Sequence, residues 1–155
     1  MKAKQNVLLL ILTPLLLSNV LFAQKGISRF EELKTWKFDY ITENTSMNSE
    51  ELELYKIIFE AYENEYHTKI WTQVHQIRKT LKNSLDTIST SEAACYINKL
   101  DDYEIEGMRL KHQRNEKLLK KMHPKVVLKI LYQEKRFDRE LFNRIRNHSK
   151  KKKEK

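Results

Sequence analysis

Met47–Leu85, MNSEELELYKIIFEAYENEYHTKIWTQVHQIRKTLKNSL, contains neither Gly nor Pro and decides the fold. Its large apolar residues fall at Leu52, Tyr55, Phe59, Tyr62, Tyr66, Ile70, Val74, Ile77, Leu81 and Leu85. Steps of three and four residues are the signature of one face of an α-helix. The stretch is therefore expected to form one long helix, on the order of 50 Å at about 1.5 Å per residue. Asn48 stands where its side chain can accept from the first free N–H groups, and Glu51, three residues on, completes a capping box.

The flanking sequence extends the pattern. Upstream, Ile27–Asn44 carries Ile27, Phe30, Leu33, Lys37 and Ile41 on one stripe, with Trp36 and Tyr40 beside it, and ends in Asn44-Thr45-Ser46. Downstream, Asp86–Ser91 interrupts the period with turn and cap residues, Ser89 and Glu92 again having capping-box spacing. A third helix is expected from Thr90 to Lys121, on Ala93, Tyr96, Ile97, Leu100, Tyr103, Met108, Leu118 and Leu119. Gly107 lies within it, at about 1 kcal/mol relative to Ala. Pro124 suits the first position of a fourth helix, where no N–H is needed. That helix has Val127, Ile130, Leu131, Phe137, Leu141 and Ile145 on its stripe. With no alternating segment and two glycines in all, the expected fold class is all-α: four helices built on a long antiparallel pair.

The charges give the direction of that pair. Ser49–Tyr66 holds six acids and one base, His67–Leu85 four bases and no acid, Asp86–Glu106 six acids and one base, and Gly107–Lys121 six bases and one acid. Folding back at Asp86–Ser91 sets acid against base in both halves, whereas a parallel arrangement sets like against like. Exposed pairs contribute only about 0 to 1 kcal/mol each, so the blocks fix orientation and register while apolar burial supplies the stabilisation.

The first residues, MKAKQNVLLLILTPLLLSNVLFAQ, have Lys2 and Lys4, an apolar run from Val7 to Leu17 and a small residue at Ala23. This is the layout of a secretory signal peptide, expected over 1–23 with cleavage after Ala23. Pro14 and the short apolar core argue against a membrane span. A helical domain over 24–146 and a basic, disordered tail over 147–155 are expected to follow. Cys95 is the single cysteine, so no disulfide can form within the chain; its neighbours Ala93, Ala94 and Tyr96 suggest a small core residue, with pairing between chains as the alternative.

The formal charge of +9 is not a nucleic-acid signal once it is located. Gln24–Asn143 contains 21 basic and 20 acidic residues, and the excess sits in the leader and from Arg144 onward. A like-charge tail of this kind is expected to be solvated, with weak contact to an anionic membrane surface as its opportunistic partner. No nucleophile, base and oxyanion set is discernible, so no enzyme activity and no cofactor are expected. Among the five histidines, Glu63 with His67 and His112 with Glu116 have i, i+4 spacing, but neither HxxxH nor CxxC occurs and no metal site is assigned. The aromatic residues Tyr55, Phe59, Tyr62, Tyr66, Trp71 and Tyr103 form either core and a dimer seam, or an exposed binding surface rimmed by Lys and Arg.

Two helix starts carry a resemblance. Met47-Asn48-Ser49-Glu50-Glu51 and Met122-His123-Pro124-Lys125-Val126 look like degenerate forms of the repeated Leu-Thr-x-x-Gln motif of the Spy/CpxP family of small periplasmic helical proteins. The context of Tyr40–Glu43, Tyr55–Tyr66 and Lys125–Arg146 resembles the branch often labelled as sensors of extracytoplasmic-function sigma factors. Methionine replaces the leucine in both motifs, while Glu51 and Val126 replace the glutamine. The resemblance implies a cradle-shaped, dimerising fold in the periplasm that binds non-native or membrane-associated polypeptides without ATP. Lys69, Arg78, Lys79, Lys82, Arg109, Lys111 and Arg114 are the candidates for steering such partners. A regulatory sensor or adaptor docking on a membrane signalling protein, a metal sensor using Glu63, His67, His112 or Glu116, and a structural coiled-coil adaptor are the rivals.

Overall fold

A computed structural model describes residues 28–153, with side chains through 147. The leader expected over 1–23 lies outside the described residues. Helix α1 spans Arg29–Glu43, α2 Ser49–Tyr66, α3 Thr72–Ser84, α4 Thr90–Lys121 and α5 Pro124–Lys153. A π-helical turn, His67–Trp71, joins α2 to α3 without a break, so the described residues form four helical rods and no strand. Two compact units divide between Thr35 and Trp36. The described part of the first is the opening of α1, where Lys34 pairs with Glu31 at 2.7 Å and lies 5.2 Å from the Phe30 ring.

The ends of the helices follow local chemistry. Asn48 and Ser89 both form full capping boxes, with Glu51 and Glu92 returning to the cap N–H groups. Glu92 consequently titrates below the ordinary glutamate range, held by the backbone and then the hydroxyl of Ser89. Pro124 opens α5, and His123 just before it caps in its own way, its Nδ1 accepting from the Lys125 N–H at 3.2 Å. Helix α5 continues through the expected tail as far as Lys153, because Asn147–Lys153 contains no residue that breaks a helix.

The core of the second unit is built where four rods meet. Ile41 of α1, Tyr55, Ile58 and Phe59 of α2, Leu118 of α4, Met122, and Val127 and Ile130 of α5 form one buried cluster, against which Phe38, Tyr40, Met47, Val126 and Leu131 pack. Phe38 lies 5.7 Å from Tyr55 and 5.3 Å from Phe59 within it, and apart from the cluster Trp36 meets Phe137 edge-on at 4.6 Å. Gln133 donates to the Asn44 carbonyl at 3.1 Å and ties α5 to the end of α1.

Helices α2 and α4 run antiparallel. Arg114 lies over the Tyr62 ring at 4.6 Å, and Gly107, seven residues earlier, faces Tyr66 and Ile70. Acid therefore meets base in both halves, as the charge blocks require, yet the contact is diffuse. The close pairs Lys69–Glu65 and Arg109–Glu106 lie within helices. Between helices, Lys69 helps to lower Glu106, behind the larger effect of Arg109, and Glu65 adds to the Glu106-driven rise of Arg109. The four side chains thus form one surface charge cluster across the seam.

Several expected core positions are outside it. Leu52, Leu85, Met108, Leu119 and Ile145 are exposed, because each helix contacts its neighbours over a narrower arc than its apolar residues occupy. Cys95 is also exposed rather than buried.

Candidate functional site

The two motif-like helix starts come together structurally. Met122 is buried in the core cluster, and Met47 and Val126 pack against it. Asn48, Ser49, Glu50, His123, Pro124 and Lys125 remain at the surface, with Glu51 half-buried. These segments accordingly serve as helix starts whose apolar members anchor the core.

A cleft lies along the seam beyond the core. About 560 Å³ in volume, it runs between α2–α3 and α4, walled by Tyr62, Tyr66, Ile70, Val74, Leu100 and Tyr103, with Gly107 and Met108 on its α4 side. Arg78 and Lys111 lie towards opposite ends of it, and Glu104 is between them. The helices approach closely at Gly107, where a Cβ would stand 3.2 Å from Tyr66 Cε2 and the ring edge would have to give slightly. Burial pushes the Tyr62 phenol up to about 12, against the opposing pull of Arg114.

The π-helical turn sits in the wall of this cleft. Its widened ring brings the Thr72 N–H to the His67 carbonyl, and the Thr72 hydroxyl donates to the same oxygen at 2.9 Å. Ile70 is thereby turned inward and buried, while Trp71 is 51% exposed. Trp71 stacks between His67, at 5.0 Å, and His75, at 4.9 Å, in planes only 16° and 5° apart. The result is an aromatic ladder on the outer surface of the rod.

Of the seven cations proposed for steering, Arg114 is in a different role. Only 4% of it is exposed, and it forms a two-pronged pair with Glu134 of α5, Nη1 to Oε1 at 2.5 Å and Nη2 to Oε2 at 2.9 Å. Tyr62 covers the guanidinium and Asn115 accepts from it at 2.9 Å. The burial of Arg114 has a simple cause: a base one turn from Leu110 and Leu118 on α4 is carried into the joint with α5. Lys69 and Arg109 are exposed within their own ion pairs, Lys79 and Lys82 are exposed on α3, and Arg78 and Lys111 border the cleft. A second buried-side pair, Lys37 with Glu63 at 2.6 Å, links α1 to α2. Both interhelical pairs open on a polar cavity of about 230 Å³ that also touches Lys111 and Asp138.

No family model matches the chain, and no significant match exists among curated proteins or solved structures. Site chemistry alone therefore bears on function. The two His–Glu pairs do not converge: Glu63 is bound to Lys37, and His112 lies 3.8 Å from Glu116 on the open surface of α4. No group of three or more His, Cys, Asp or Glu able to hold a metal occurs among the described residues. None of the described helices is long and apolar enough to cross a membrane.

Proposed function

We propose that this chain is an ATP-independent, chaperone-like binding protein of Spy/CpxP type, acting in the periplasm after removal of its leader. Non-native polypeptides are captured on the amphiphilic surface beside the α2–α4 seam. The observation that supports this most is the long open cleft with aromatic and aliphatic walls and a cation towards each end. Apolar side chains of a client gain affinity by leaving water, and Arg78 and Lys111 accelerate encounter without fixing one sequence. Exposed Met108 in the cleft wall, and Ile97 one turn before Leu100, enlarge the surface, as a promiscuous binder needs. Two such chains forming a cradle-shaped dimer would set two clefts on one concave face. The activity is binding rather than catalysis.

The test is light scattering of a chemically denatured client diluted with the Gln24–Lys155 protein, without nucleotide, at low and high salt. Suppression at near-stoichiometric amounts is expected, weakened by salt and by Arg78→Glu with Lys111→Glu. Absence of suppression would overturn the reading and leave a dedicated regulatory partner as the better account.

A further inference from the structure

Helix α5 has two faces, and only one of them meets the protein. Val127, Ile130, Glu134, Phe137 and Leu141 succeed one another at steps of three and four on the inner face, and the first four are buried. On the opposite side, the same alternation of four and three runs through Leu128, Tyr132, Lys135, Arg139, Phe142 and Arg146, and every one of these is exposed. Leu128 is 68% exposed and Phe142 64%. The outer line is about 27 Å long at 1.5 Å per residue, and bases and large apolar groups are interleaved along it.

Of the acids on α5 among the described residues, Asp138 alone pairs with a base of this line. Glu134 is buried against Arg114, Glu140 holds Arg144 at 3.0 Å, and Asp138 stands 3.9 Å from Lys135. Two clefts open beside the line. One, of about 630 Å³, is lined by Lys135, Asp138, Arg139, Phe142 and Asn143. The other, of about 210 Å³, lies among Tyr40, Tyr132, Arg136, Arg139, Glu140 and Asn143. Arg139 belongs to both.

We propose that the outer face of α5 docks on an anionic lipid surface, with Leu128, Tyr132 and Phe142 entering the headgroup boundary and Lys135, Arg139 and Arg146 bound to phosphates. The spacing favours a bilayer over an acidic protein. The apolar groups are split, the Leu128–Tyr132 pair from Phe142 by the long-stemmed Lys135 and Arg139, and offer no continuous ridge to fill a partner's groove. At a lipid interface, by contrast, each enters singly while the neighbouring Lys and Arg extend to the phosphates. A straight line on a convex helix also touches a plane along its full length. The sequence beyond Arg146 adds Lys150–Lys153 to the same helix, and each base near an anionic surface strengthens partitioning several-fold. This role is independent of client capture at the α2–α4 cleft.

The experiment uses the full chain. Cys95, the only thiol, lies on α4, so Cys95→Ser with Tyr132→Cys moves a single environment-sensitive fluorophore onto the outer line of α5. Vesicles of phosphatidylglycerol and phosphatidylcholine, roughly one to three, are compared with phosphatidylcholine alone; the neutral vesicles measure any insertion due to the apolar leader. A blue shift at position 132 with anionic vesicles only, and none for label at Cys95, is expected. Lys135→Gln with Arg139→Gln should weaken partitioning on the order of thirty-fold, and Leu128→Ser with Phe142→Ser should remove the shift while leaving the helical spectrum unchanged. Equal response to both vesicle types, or equal shifts at 95 and 132, would overturn the proposal. So would an equal blue shift with polyglutamate, which would assign the face to acidic polypeptides instead.

Discussion

Removing Glu134 should cost the fold more than removing any charge on its surface. Arg114 and Glu134 are 4% and 6% exposed and share two hydrogen bonds. Desolvating both ions offsets most of their attraction, so the intact pair adds little net stability, yet deleting one partner strands a buried charge at about 3–5 kcal/mol. The structure makes the two deletions unequal. In Glu134→Leu, Arg114 keeps Asn115 and the Tyr62 ring, and the loss should fall at or below the lower end. In Arg114→Met, Glu134 loses both of its close donors and can recover only by drawing Lys37 or Lys111 across the shared cavity, so the upper end is expected. The double variant replaces the pair by apolar groups and should return to within about 1 kcal/mol of the parent, or exceed it. Urea titrations followed by helical circular dichroism, with m held constant, measure all three. Single losses below about 1 kcal/mol that simply add in the double variant would show the pair to be solvated, and the account of the α4–α5 joint would fail.

Gly107→Ala should change stability little, because about 1 kcal/mol of helix propensity is set against a 3.2 Å approach to the movable edge of half-buried Tyr66. Gly107→Leu should cost about 1–3 kcal/mol by overpacking and weaken client capture by filling the cleft; a thermal melt and the scattering assay read the two effects. Tyr62 titrates near 12 because burial disfavours its phenolate. Its folded value lies above the unfolded value near 10, so its contribution is complete below pH 10 and lost as pH rises towards 12. Tyr62→Phe should therefore reduce the steepness of alkaline unfolding, measured by urea midpoints between pH 9 and 12. Asn48→Ala should cost about 1 kcal/mol through loss of the α2 cap, visible as a lower urea midpoint.

The parts of the fold legible from sequence are those governed by local chemistry. Asn48 with Glu51 and Ser89 with Glu92 mark their helix starts because a cap is a contact between residues three apart. The opposed charge blocks likewise oriented α2 and α4. The π-helical turn was less plain, although it leaves a trace: Tyr62, Tyr66, Ile70 and Val74 are three successive steps of four. In a regular α-helix each such step turns the stripe by about 40°, and the wider turn at His67–Trp71 takes up that rotation. The burial of Arg114 is not legible in sequence, because a solvent-facing and a buried arginine look alike until the partner is known, and Glu134 is twenty residues away on another helix. Exposed Met108 and Leu119 show the same limit. Period identifies a helix, while the width of its contact is set by neighbours that the period does not specify.

The core cluster closes before the π-helical turn, and α3 contributes no buried residue to the molecule. The outer part of the α3–α4 pair is therefore a projecting arm whose length can vary independently of the hub. Deleting seven residues from each side of the Leu85–Ser89 turn would shorten the arm by about 10 Å at 1.5 Å per residue and leave every core contact in place. Matched insertions would lengthen it equally. Reach is thus a property that selection can adjust by indels alone, without redesigning the interior.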